Sequence, residues 1–106
     1  MKEIKNYDEF ENIINNNKMV IVDFYAAWCG PCRTLGNTLS TLTEDEIKDF
    51  VIVKVDVDEA DDITIKYSIR SIPTLLYFLN GELVDRTMGN MDKITFLGKV
   101  QEILMK

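Results

Sequence analysis

Two apolar runs organise this chain, Met19–Tyr25 (interrupted only by Asp23) and Thr74–Leu79. Both are strand-length, and near-continuous apolarity is the pattern of a strand covered on both faces. Val51–Val57 is a further buried strand, interrupted by Lys54 and Asp56. Helical spacing fills the gaps. Asn6 to Ile14 predicts a short helix, with Asn6 and Glu9 at capping-box spacing. Leu35, Leu39, Leu42 and Ile47 predict a helix from Gly30 to about Lys48. Asp61–Tyr67 reads as a short helix, and Asp92–Met105 as an amphipathic one with Ile94, Leu97, Val100, Ile103 and Leu104 on one side and Asp92 as N-cap. Asn80-Gly81 is a strong hairpin signal and joins Thr74–Leu79 to a strand over Leu83–Met88. A small edge strand is expected near Ile4. The early strand–helix alternation implies parallel pairing with right-handed crossovers, and the late hairpin adds antiparallel strands. The expected product is an α/β domain spanning residues 1–106, with a mixed central sheet and helices on both faces.

Composition narrows the function. A chain of 106 residues is a single domain by length, and one of that size buries about two thirds of its unfolded surface. The net charge is −6 without a basic cluster. That argues against nucleic acid, which needs a basic face, and against an anionic membrane surface. The apolar runs are too short for a transmembrane helix. The segment Met1–Phe10 lacks the apolar core and small-residue cleavage site of a secretory signal, so a cytoplasmic protein is expected. In a reducing compartment a lone cysteine pair is more often catalytic or metal-binding than structural.

That pair is Cys29 and Cys32 in Trp28-Cys-Gly-Pro-Cys32, the only two cysteines present. They follow a strand and open a helix. Positions i and i+3 on a helix lie about 5–6 Å apart between Cβ atoms, and a disulfide closes when its Cα atoms lie about 4.4–6.8 Å apart. The bridge is able to open and close with little movement. Cys29 sits where free N–H groups and the helix dipole favour a thiolate, below the ~8.5 of a free thiol. It would attack a substrate disulfide, and Cys32 would then resolve the mixed disulfide. Pro31 lies in the first turn, where a missing N–H costs nothing. Zinc needs about four ligands, and the chain has two thiols and no histidine. A purely structural bridge would close a tiny loop and constrain the unfolded chain little.

Asp23 interrupts a strand that should be buried. Burial would raise its pKa and suit it to pass a proton to or from Cys32; the alternative is a carboxylate at a frayed strand end facing water. Lys54, central in the neighbouring strand, either pairs with Asp23 or snorkels to the surface. Pro73 precedes an apolar strand, an ordinary place for proline.

Val22-Asp-Phe-Tyr-Ala-Ala-Trp-Cys-Gly-Pro-Cys32, Ile72-Pro-Thr-Leu75, Asn80-Gly-Glu82 and Gly89 together resemble the thioredoxin family, in that order and over essentially the whole chain. The resemblance implies a thioredoxin fold and a protein-disulfide reductase. By position, Cys29 would be the nucleophile, Cys32 the buried resolving thiol, Asp23 the buried acid/base and Lys54 its partner. Pro73 would be a cis-proline facing the cysteines, and the Ile72 backbone would bind an extended substrate segment. Trp28, Gly30, Pro31, Val57, Ile72, Met88 and Gly89 would form an apolar docking face, with Pro73 and Thr74 beside it. Asp58 would hydrogen-bond the Trp28 indole. No cofactor would be bound; electrons would come from a thioredoxin reductase carrying NADPH and FAD, and would pass to disulfide-containing client proteins. A monomer is expected. The family usually has a proline five residues after the second cysteine; here Asn37 stands there, preceded by Gly36. Ser71 replaces a common glycine, and Tyr25 occupies a position that is aromatic or small.

Two other readings stand beside the reductase. One is a redox-independent binding or chaperone-like subunit that uses the apolar face around Trp28. The other reverses the chemistry and makes the protein an oxidant or isomerase.

Overall fold

The computed structural model describes residues 1–106. Nine elements follow in order: β1 (Lys2–Glu3), α1 (Tyr7–Asn15), β2 (Met19–Tyr25), α2 (Gly30–Ser40), β3 (Val51–Asp56), α3 (Asp61–Lys66), β4 (Thr74–Leu79), β5 (Glu82–Met88) and α4 (Lys93–Leu104). The five strands form one sheet in the order β1-β3-β2-β4-β5. β3 pairs parallel with β1 and β2, while β4 pairs antiparallel with β2 and β5. The mixed sheet expected from the alternation is present, and β2 lies at its centre.

The central position of β2 explains its composition. Val20, Val22 and Phe24 point to one face, where they meet Phe10 and Ile14 of α1, Ile63 of α3, and Val53, Val55, Leu76 and Phe78. Met19 and Ile21 point to the other, where they meet Leu35 and Leu39 of α2 and Phe96, Val100 and Ile103 of α4. A strand buried on both faces has no polar side, and each fully buried large aliphatic or aromatic side chain contributes roughly 1.5–3 kcal/mol. The hairpin between β4 and β5 turns on Asn80 (φ 53°) and Gly81 (φ 83°). Both lie in the left-handed region that a two-residue turn of this hand requires.

Three local features depart from the sequence pattern. α2 ends at Ser40 rather than near Lys48. The hydroxyls of Ser40 and Thr41 donate to the carbonyls of Asn37 and Thr38, and Thr43 then starts a separate turn with its own capping box. Its N–H donates to Glu46 Oε1 at 2.9 Å, and its Oγ1 accepts from the Glu46 N–H at 3.2 Å. In α1, Asn6 Oδ1 caps the Glu9 N–H at 2.9 Å, but the Glu9 carboxylate accepts from Lys5 instead of closing the box on Asn6. In α4, Ile94 is 83% exposed. The buried stripe is Phe96, Val100 and Ile103, and Ile94 sits about 200° from Phe96 at 100° per residue, on the opposite side. No helix is long and apolar enough to cross a membrane.

Candidate active site

Cys29 ends the loop after β2 and is the N-cap of α2. Its N–H donates to the Ala26 carbonyl at 3.2 Å, and its carbonyl accepts from the Arg33 N–H at 3.2 Å. Its sulfur accepts from the Cys32 N–H at 3.2 Å. The sulfur therefore occupies the place where a serine or aspartate oxygen normally satisfies a free helical N–H. Negative charge on that atom is stabilised by the same donor and by the helix dipole. Cys32 lies one turn on, with Cα atoms 5.2 Å apart, and the two are joined as a disulfide. Both are nearly covered, 6% exposed at Cys29 and 3% at Cys32. They pack with Ala26, against Tyr25, Val57 and Ile72.

Asp23 is on the same face of β2 as Tyr25 and lies 2% exposed. Its Oδ1 has no hydrogen-bond partner. Burial pushes its pKa up to about 7, and the charge of Lys54 acts in the opposite, lowering direction. The frayed-end alternative does not describe this residue. Lys54 stands directly opposite Asp23 in the parallel register. Of the two alternatives for Lys54, the ion pair with Asp23 is not made: the Lys54 ammonium lies over the Tyr25 ring, 5.2 Å from its centroid. Asp23, Lys54, Tyr25 and both cysteines line one cleft of about 310 Å³, closed on the helix side by Gly36 and Asn37 of α2. α2 runs uninterrupted through those two residues.

The remaining residues surround the disulfide unequally. Trp28 is 70% exposed, and its indole Nε1 donates to Asp58 Oδ2 at 2.8 Å. Trp28, Val57 and Ile72 share a shallow groove with Ile69, Arg70 and Ser71. Gly30 and Pro31 are exposed on the first turn of α2. The Ile72–Pro73 peptide is cis, and Pro73 is buried while Ile72 is half-buried. The Pro73 carbonyl accepts from the Gly89 N–H at 2.9 Å, and Gly89 has a φ of 87°. Met88 is 65% exposed and opposite Thr74 in the β4–β5 register. Thr74 is 1% exposed, and its hydroxyl donates to the Ser71 carbonyl at 2.7 Å. Its side chain thereby braces the turn that leads into β4.

Tyr25 is the site residue that sequence reasoning passed over. Its signal was strand alternation, which puts it on Asp23's side two residues on. Its hydroxyl donates to Glu3 Oε1 at 2.7 Å. Glu3, Asp56 and Glu59 bring carboxylate oxygens within 4.8 Å of one another beside it.

A family model described as Thioredoxin matches residues 2–102. A thioredoxin of Mycoplasmoides gallisepticum is 46% identical over 93 residues, which cover 88% of this chain and 92% of that one. A thioredoxin of Griffithsia pacifica is 42% identical over 94 residues, covering 89% of this chain and 86% of that one. Among solved structures, Plasmodium falciparum thioredoxin superposes with a TM-score of 0.85 at 37% identity, covering 93% of this chain and 98% of that one. Oxidised mitochondrial thioredoxin 3 of Saccharomyces cerevisiae gives 0.84 at 34%, covering 96% and 93%.

Proposed function

This chain belongs to the thioredoxin family and is a thiol–disulfide oxidoreductase whose redox group is its own Cys29–Cys32 pair, and on that premise we propose how its residues divide the work of reducing client proteins. The reading rests on one observation above the others: the Cys29 sulfur is the N-cap of α2, held by the Cys32 N–H at 3.2 Å. In the reduced protein the Cys29 thiolate attacks one sulfur of a client disulfide, and the other client sulfur leaves as a thiolate. Asp23, in its carboxylate form, takes the proton of Cys32. The Cys32 thiolate then attacks the Cys29 sulfur and expels the second client thiolate, which closes the Cys29–Cys32 bond. Two electrons pass from the dithiol to the client. The pKa of about 7 at Asp23 supports this role, because a group that titrates near the working pH both accepts and returns a proton. Lys54 limits how far that pKa rises.

The client docks as an extended segment along the Trp28–Val57–Ile72 groove, with the Ile72 backbone offering strand-like hydrogen bonds. Gly30, Pro31, Pro73, Met88 and Gly89 border it, and Asp58 holds the Trp28 indole. A flavoprotein thioredoxin reductase drawing on NADPH resupplies the electrons, in the cytoplasm.

Reduction of insulin disulfides, driven by dithiothreitol, tests the assignment. Cys29→Ser should abolish catalysis, and Cys32→Ser should accumulate a mixed disulfide with insulin. Full activity in Cys29→Ser would show that the nucleophile lies elsewhere. A midpoint potential well above that of the cytosolic glutathione pool would reverse the proposed direction of electron flow.

A further inference from the structure

We propose that Tyr25 is a positioning residue for the exchange reaction: its ring holds the Lys54 ammonium away from Asp23 and so sets how much positive charge that carboxyl feels. The inference deepens the reading of Asp23 as the proton carrier and rests on it. Lys54 leaves β3 directly across from Asp23, and an ammonium on a four-carbon stem has two destinations on that face. One is the buried, unpartnered Asp23 Oδ1. The other is the Tyr25 ring, two residues along the same face of β2. The ammonium takes the ring, at 5.2 Å from the centroid, inside the distance at which a cation is attracted to an aromatic face.

Tyr25 is held at two points, one on the ring and one on the backbone. Its hydroxyl donates to Glu3 on β1 at 2.7 Å, and the Tyr25 carbonyl accepts from the Val57 N–H at 2.9 Å. Glu3, Asp56 and Glu59 gather beside it, so negative charge also draws the ammonium to the Tyr25 end. The other groups that share Asp23's surroundings do not compete for Lys54. β4 places Leu75 opposite Asp23. α2 contributes Cys29, Cys32 and Arg33 to the cleft, and the chain start contributes Met1.

Titration of the Asp23 carboxyl carbon by 13C NMR in the oxidised protein reads the coupling directly, because the closed disulfide removes both thiols from the titration. Tyr25→Leu frees Lys54 to approach Asp23, and an opposite charge at contact distance lowers a carboxyl pKa by about one unit or more. The Asp23 midpoint should therefore fall by about one unit, tenfold in the protonation constant, while Tyr25→Phe, which keeps the aromatic face and loses only the bond to Glu3, should move it by clearly less. In a Lys54→Met background, Tyr25→Leu should have no further effect. A midpoint unmoved by Tyr25→Leu, or a shift that persists without Lys54, overturns the proposal; the second result would mean that the ring acts only by covering Asp23. A further check needs no variant: the Lys54 ε-methylene protons should resonate upfield from the ring current, and random-coil positions would refute the contact. The pH profile of the Cys32 resolving step should move with the carboxyl, about one unit to lower pH in Tyr25→Leu. If Asp23→Asn leaves that step unchanged, the proton-carrier reading fails while the titration still decides the Tyr25 coupling.

Discussion

Replacing Asp23 with asparagine should stabilise the oxidised protein at neutral and higher pH, and the gain should vanish in mild acid. The magnitude follows from the buried carboxyl. Its pKa rises from 3.8 to about 7 on folding, with burial as the main cause. That is roughly 3 units at about 1.36 kcal/mol each, so ionised Asp23 costs the fold on the order of 4 kcal/mol. The sign follows from proton linkage. Between about pH 4 and 7 the folded protein holds a proton at Asp23 that the unfolded chain has released, so stability declines as pH rises through this window and levels off above 7. Asparagine has no such proton. Its amide leaves polar atoms in a site where Oδ1 finds no partner, which costs about 1–3 kcal/mol at every pH. The informative quantity is therefore how the difference between the two proteins changes from about pH 4 to pH 8, and it should grow by roughly 4 kcal/mol. Urea unfolding followed by far-ultraviolet circular dichroism, at several pH values, supplies it. Glu46, Asp85 and Asp92 have pKa values lowered by hydrogen bonds, joined at Glu46 and Asp85 by a nearby lysine. Their stabilisation is lost only as pH falls, and being common to both proteins it cancels. A difference that stays constant across the range would refute the account of Asp23 as a buried acid that ionises at a cost.

Two further outcomes are expected. Gly36→Ala should stabilise the protein by about 1 kcal/mol, because glycine is a poor residue inside a helix and an added Cβ there meets nothing within 4 Å; a lower melting temperature would mean that the cleft beside Asp23 does not accept the methyl. Asp58→Ala should free the Trp28 indole from its 2.8 Å bond, which should shorten its fluorescence anisotropy decay and raise the KM for insulin more than it lowers kcat. Because the bond is exposed, stability should change by less than about 1 kcal/mol, and an unchanged anisotropy would show that other contacts hold the ring.

Where the sequence spoke through a single strong term, the structure agrees to the residue. Met19–Tyr25 and Thr74–Leu79 are strands with those limits, because runs so apolar have no stable place outside the centre of a sheet. Asn80-Gly81 turns the hairpin, because both residues tolerate the positive φ that the turn demands. Where two patterns overlapped, apolar spacing misled. Leu35, Leu39 and Leu42 continue a helical stripe past Ser40, yet Thr43-Glu44-Asp45-Glu46 is itself a capping box and announces a new start. In α4, phasing the stripe from Ile94 hid Phe96, the residue that is 0% exposed.

The active site divides along the same line. The disulfide was legible because its partners are three residues apart and the helix brings them together without help from the rest of the fold. Lys54 was not. Its nearness to Asp23 depends on strand register, and its destination depends on a balance between a carboxyl and a ring that are both within reach of its stem. Below about pH 7 buried Asp23 is mostly protonated and offers Lys54 no full charge. Tyr25, with the carboxyl groups of Glu3, Asp56 and Glu59 gathered beside it, offers its ring face and their negative charge. The attraction between Lys54 and Asp23 should thus strengthen only once the acid ionises, so the ammonium stabilises the carboxylate as it forms and limits the rise of its pKa. A sequence shows which groups are present; only their mutual distances decide which of two attractions prevails.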